Sequence, residues 1–270
     1  MIDIGEVMKQ SVTCMRQRKS LWLFGVFVAG GGGGGGDQGS SVSLSAAAVT
    51  LIVLGGIVLL VALAIMNVIS EAALIEGVVR EEPTGFREGM RDGRRHFGVI
   101  LRIKAFVILA VMLVVGALSS PIWLYLAGGM SGVVAGLLGL IAVGIGVPAM
   151  LGIILVYAFS LRIAVLEGHH SAVEALGEAR AFLHGRIGSG LMLVAGDLIG
   201  RLAAGLFALI ILVPVGLLAG GAYLVGGAVP AAVAGGLLLL PALLVLAGAL
   251  GTYRSALWTL GYLAEQPSGA

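Results

Sequence analysis

Asp197 and Arg201 are the residues whose types and setting most invite chemistry. They stand four apart inside GLMLVAGDLIGRLAAGLFALI, a stretch that is otherwise apolar. On a helix that spacing brings both side chains to one face. Charge inside hydrocarbon costs several kcal/mol, so the pair must neutralise itself, find partners or face water. A substrate or proton site would use such a couple. So would a structural ion pair near the cytoplasmic end of a span, and Arg102 and Lys104 hold comparable places in another apolar stretch. That comparison favours architecture over function.

Two further sets of charged residues follow the same logic. Glu71, Arg162 and Arg254 fall at equivalent points in SEAALIEG, LRIAVLEG and YRSALWTLG, where three apolar segments end. They form either an ionic ring near the cytoplasmic surface or three side chains that each snorkel to the headgroups, the simpler reading. In GFREGMRDGRRHFG a helix would put Phe86, Gly89, Met90, Gly93 and Phe97 on one face and Arg87, Glu88, Arg91, Asp92, Arg94 and Arg95 on the other. Arg87, Arg91, Arg94 and Arg95 are candidate contacts for anionic lipid headgroups.

Other chemistries find little support. His96, His169, His170 and His184 gather at the cytoplasmic interface, and His170 with Glu174 has i,i+4 spacing. Two ligands fall short of the four that a closed zinc site needs, so no metal site is expected. The run Gly30–Gly36 continues as GDQ. A phosphate-binding loop needs Gly-Lys-Ser/Thr there, so the run reads as a flexible linker. No Ser/His/Asp arrangement and no facing carboxylate pair stands out, and neither catalytic residues nor a cofactor is expected. Cys14 is the only cysteine, which excludes an intrachain disulfide and a Cys-based metal site. It reads as a small apolar filler.

The elements that position these residues are set by hydropathy. From Gly132 to Leu161 there is no charge, and at ~1.5 Å per residue this run exceeds the ~30 Å hydrocarbon layer. It continues into SAVEALGEARAFLHG, whose Ala172, Ala175, Leu176, Ala179, Phe182 and Leu183 make an apolar face along the bilayer surface. Over 270 residues 59% are hydrophobic and 11% charged, with mean hydropathy +1.10. Soluble domains carry about 25% charged residues. The chain therefore reads as one integral membrane domain, residues 1–270, and its net charge of +2 gives no reason to expect nucleic acid.

In order, an amphipathic N-terminal helix covers residues 1–19, with Ile4, Val7, Met8, Ser11 and Met15 on its apolar face. RQRKS followed by LWLFGVFVAG imitates a signal peptide, but the basic cluster begins only at Arg16 and the segment reads as a retained first span. Further spans are expected at about 45–69, 99–118, 132–161, 187–213 and 231–257. Pro121 and Trp123 should lie beyond the third and Pro214 at the end of the fifth. Surface helices are expected at 86–97 and 172–184. The loops around 30–44, 117–131 and 214–230 contain no Lys or Arg. The positive-inside rule then places both termini and both long connections in the cytoplasm. The fold class is all-α: a polytopic membrane protein with six spans in three hairpins and amphipathic cytoplasmic surface helices.

An internal repeat runs through this layout. Aligning Ala73, Ala164 and Ala256 brings Gly55-Gly56, Pro148 and Pro241 to similar depths. EGMRDGRR then falls over EALGEARA, pairing Glu88 with Glu174, Asp92 with Glu178 and Arg94 with Arg180. Matched breaks mark transport sites in some folds, but without charges at the breaks helix packing explains them better. Gly196, Gly200 and Ala204, like Gly132 and Gly136, repeat at a spacing that permits close helix approach, within the bundle or in a homodimer.

The basic-LWLFG start of span one, the exit E-x-A-L-I-E-G and the following F-R-E-G-x-R-x-G-R-R-H-F-G resemble uncharacterised prokaryotic membrane proteins related to the glycerophosphoryl diester phosphodiesterase membrane domain. The resemblance spans nearly the whole chain. It implies six spans in a bacterial or archaeal cytoplasmic membrane and no assigned activity. The catalytic barrel of some relatives has no counterpart, because no soluble segment is long enough for one. The expected role is a non-enzymatic organiser of lipids or partner proteins, with membrane lipids, a second copy or another membrane protein as partners. The alternative is a small-solute transporter or channel built on Asp197, Arg201 and the broken spans.

Overall fold

A computed structural model describes residues 3–29, 46–80, 85–169 and 171–266. Among them the chain is helical without strands. The helices are α1 (Ile4–Gln17), α2 (Trp22–Ala29), α3 (Ala46–Val79), α4 (Phe86–Arg95), α5 (Phe97–Leu126), α6 (Gly132–Leu166), α7 (Ala172–Leu183), α8 (Ile187–Gly226) and α9 (Ala228–Glu265). Five of them, α3, α5, α6, α8 and α9, are long and apolar enough to cross a membrane. The expected first span is represented by α2, whose eight residues are too few to cross alone. Gly30–Gly36 lies outside the described residues.

Two expected span ends are corrected. Pro121 and Trp123 lie inside α5, and Pro214 lies inside α8. Pro121 has no N–H to donate to the Ala117 carbonyl, but the Ser120 hydroxyl donates to that oxygen at 2.7 Å. Ser119 likewise donates to the Gly116 carbonyl at 3.1 Å. In hydrocarbon a helix that loses one bond and re-satisfies the acceptor costs less than a chain that leaves the helix. The surface segment 86–97 is also corrected: α4 stops at Arg95, His96 breaks it with φ −94° and ψ 0°, and Phe97 begins α5.

Caps set the short helices. The Asp3 carboxylate accepts from the Gly5 and Glu6 amides at the start of α1. The Ser171 hydroxyl accepts from the Glu174 amide at 3.5 Å, the S-x-x-E spacing of a capping box. The far-side turns are tight. Gly128 at φ +73°, with amide bonds from Gly128 to Tyr125 and from Gly129 to Leu124, closes α5. Gly227 at φ +81° is the one residue between α8 and α9.

Contacts divide the chain into two compact units, residues 1–95 with 191–270 and residues 96–190. In the first, α2 packs on α9 and α3, α1 on α9, and α4 on α3. Leu21, Phe24, Ala73, Leu74, Val78 and Ala256 form its core, with Cys14 packed against them as a small filler. α2 and α9 meet backbone to backbone: a side chain at Gly25 would overlap the Gly248 carbonyl, and one at Gly251 the Gly25 carbonyl. Asn67 Nδ2 donates to the Phe27 carbonyl at 2.6 Å, and the Arg18 guanidinium donates to the Gly77 carbonyl. Each satisfies a carbonyl in the last turn of a helix. In the second unit α5 packs on α6 and α7 lies on both. Ala172, Ala175, Ala179 and Leu183 are buried beneath α7, as its pattern predicts.

Packing is uneven along the long helices. Large apolar side chains are exposed on α3 from Leu51 to Ile65, on α6 from Val133 to Ile154, and on α9 from Val229 to Val245. Burial concentrates at the other ends, over Val68–Val78, Leu155–Val165 and Gly248–Tyr262. Within these helices the segments Ala46–Ser70, Ala105–Leu126, Gly132–Leu161, Leu202–Gly226 and Ala228–Tyr253 carry no charge. At ~1.5 Å per residue they are roughly 33–45 Å long, enough to cross hydrocarbon with some tilt. The charge that ends each one is Glu71, Lys104, Arg162, Arg201 or Arg254. These charges therefore bound the uncharged runs.

Candidate functional site

Asp197 is brought together with Arg201, as the spacing predicts, and also with Arg254 of α9. The Asp197 carboxylate accepts from Arg201 Nη2 at 2.8 Å and Nε at 3.2 Å through Oδ2, and from Arg254 Nε at 2.8 Å through Oδ1. Asp197 is 7% exposed, while the Arg201 and Arg254 side chains are 52% and 33% exposed. One buried carboxylate thus faces two cations, and the group keeps a net positive charge. Close approach makes this feasible. A side chain at Gly200 would overlap the Tyr253 ring, and the Tyr253 hydroxyl donates to the Gly196 carbonyl at 3.2 Å. Gly196 and Gly200 therefore serve α8–α9 packing inside the chain.

Glu71, Arg162 and Arg254 are the three residues expected at the span ends. Arg254 turns to Asp197, and Arg162, 5% exposed, donates to the Ala158 carbonyl of its own helix at 2.7 Å. Burial overrules snorkelling for Arg162. Glu71 is half-buried on α3.

On α4 the expected charged face is corrected at Asp92, which is 2% exposed. Arg80, which the sequence pattern did not single out, lies 2.8 Å from Asp92 Oδ2 and 3.3 Å from Glu76 Oε1. Gly89 and Gly93 let α4 come down beside Asp92: a side chain at Gly93 would overlap the Ile69 carbonyl, and one at Gly89 would meet the Phe24 ring at 2.9 Å. The signal for this was available in Gly-x-x-x-Gly around an acid, a spacing that packs helices closely. Phe86 stacks on Phe24 with centroids 5.1 Å apart.

With Asp92 turned inward, the arginines turn out. Phe86, Arg87, Met90, Arg91 and Arg94 line an open recess of about 390 Å³ on α4. Arg95 lies outside that lining; its Nη1 is 3.9 Å from Asp92 Oδ1, and Arg91 Nε is 3.7 Å from the same oxygen. The recess offers three guanidiniums beside an aromatic ring and a thioether, a surface suited to an anionic headgroup with its acyl stem alongside.

The histidine expectation also shifts. His170 lies outside the described residues, and Glu174 serves the N-terminus of α7. It is His169 that gathers carboxylates, with Nε2 at 2.8 Å from Glu178 Oε2 and 3.3 Å from Glu167 Oε2. Gly168, at φ +72°, turns the chain between Glu167 and His169. Cys14, in α1, is half-buried; burial pushes its thiol up from the usual range, and the nearby Arg18 charge draws it back by less.

The fold and these sites define a helical, multi-pass membrane protein. Comparison with family models, with curated proteins and with solved structures gives no match.

Proposed function

We propose that the protein is a non-enzymatic organiser of anionic lipids at the cytoplasmic face of a bacterial or archaeal inner membrane, with six spans and both termini inside. The observation that carries this reading is the α4 recess, where Arg87, Arg91 and Arg94 stand together beside Phe86 and Met90. Basic residues at an anionic leaflet contribute about 1 kcal/mol each. The Lys and Arg residues cluster at the same helix ends as α1, α4 and α7, in accord with the positive-inside rule. A transporter would place charge or polar breaks near the bilayer middle. Arg201 and Arg254, with Asp197 beside them, bound uncharged runs of α8 and α9 rather than interrupting them, which supports the organiser.

Native mass spectrometry of the wild type and of Arg87→Gln/Arg91→Gln/Arg94→Gln tests this. Retention of phosphatidylglycerol should fall by roughly two orders of magnitude in the variant, on three contributions of about 1 kcal/mol. Wild-type retention should also weaken with added salt. Unchanged retention in the variant would sink the reading and leave these arginines as topology signals.

A further inference from the structure

We propose that Glu167, His169 and Glu178 form a site for a divalent transition metal of the zinc class, clamping α7 to the end of α6. The three donor atoms come from two elements and lie within 4.8 Å of one another. His169 Nε2 lies 2.8 Å from Glu178 Oε2, a direct hydrogen-bonding contact, and 3.3 Å from Glu167 Oε2, so one imidazole nitrogen already faces both carboxylates. Zinc bound at ~2.0–2.1 Å in tetrahedral geometry spaces its ligands by ~3.3 Å, so the group closes on an ion with small side-chain rotations.

Charge and ligand type select the ion. A neutral imidazole with two carboxylates carries a charge of −2, which a divalent cation neutralises. An imidazole nitrogen suits zinc, cobalt or nickel and not calcium or magnesium, which take oxygen ligands. Three protein ligands leave a position open to water, and both glutamates are exposed.

The first surface helix gives the contrast. Asp92 of α4 is held by Arg80, just past the end of α3, much as Glu178 of α7 is held by His169, just past the end of α6. A guanidinium is a permanent cation and cannot ligate a metal. Histidine holds its acid either as imidazolium or, when neutral, through a shared metal ion. The second carboxylate, Glu167, gives the group a third donor atom within reach of the same ion.

The test is thermal unfolding of the full chain in detergent with zinc or magnesium chloride. Zinc should raise the midpoint and magnesium should not. His169→Gln and Glu178→Gln should each weaken zinc binding by roughly tenfold or more, while His184→Gln keeps it. No zinc shift, or a shift intact in His169→Gln, would overturn the site. If His169→Gln does not fold, cobalt added to the wild type should give visible d–d bands, and their absence overturns the proposal equally.

Discussion

Arg254 Nε lies 2.8 Å from Asp197 Oδ1, reaching from α9 to a carboxylate whose other oxygen holds Arg201 of α8. The i,i+4 partner is therefore the looser of the two, since Arg201 is half exposed and Arg254 is the more enclosed. Asp197 acts as a cross-link between helices more than as half of a local pair.

That geometry orders a set of mutants. Asp197→Asn should lower stability by about 3 kcal/mol, because it leaves an enclosed guanidinium uncompensated. Adding Arg254→Gln should recover more of this loss than adding Arg201→Gln. Melting of the single and double variants in detergent reads the order, and equal recovery would refute it.

Gly93 tests how closely α4 is seated. Gly93→Ala should destabilise by about 1–3 kcal/mol, since the new methyl would press on the Ile69 carbonyl. Gly177→Ala, whose added methyl meets nothing within 4 Å, should be neutral or stabilising by roughly 0.5–1 kcal/mol. Limited proteolysis near Arg80 would register undocking of α4 in the first variant and not in the second.

Cys14 gives a pH prediction. Its folded value is raised, so the fold favours the neutral thiol. The associated stability is fully present below the unfolded value near 8.5 and is lost as pH rises through the higher folded one. Maleimide labelling at pH 8 should be slower in the native protein than after unfolding, and equal rates would contradict the burial.

Topology is tested by single cysteines in a Cys14→Ala background. Ser131→Cys, between α5 and α6, should label from outside intact cells, and Ser171→Cys, at the start of α7, only after permeabilisation. Labelling of both from one side would overturn the orientation.

Long-range hydropathy made the five long helices legible, and amphipathic spacing found α1, α4 and α7, since both signals are local. Asp197 with Arg201 was legible for the same reason. Arg254 and Arg80 were not, because their partners lie on other helices. The prolines misled at Pro121 and Pro214: in water they end helices, whereas hydrocarbon makes a missing bond cheaper than an exposed backbone. At Ser120 the sequence did hold the remedy, a hydroxyl placed to take up the freed acceptor.

The closures at Gly128 and Gly227 have a consequence for how the protein can be addressed. With five residues between α5 and α6 and one between α8 and α9, these two hairpins leave little chain outside the helices for a soluble molecule to grip. The long faces of those helices are apolar, so a change in the thickness, tension or composition of surrounding lipid would have more to act on than a signal from water.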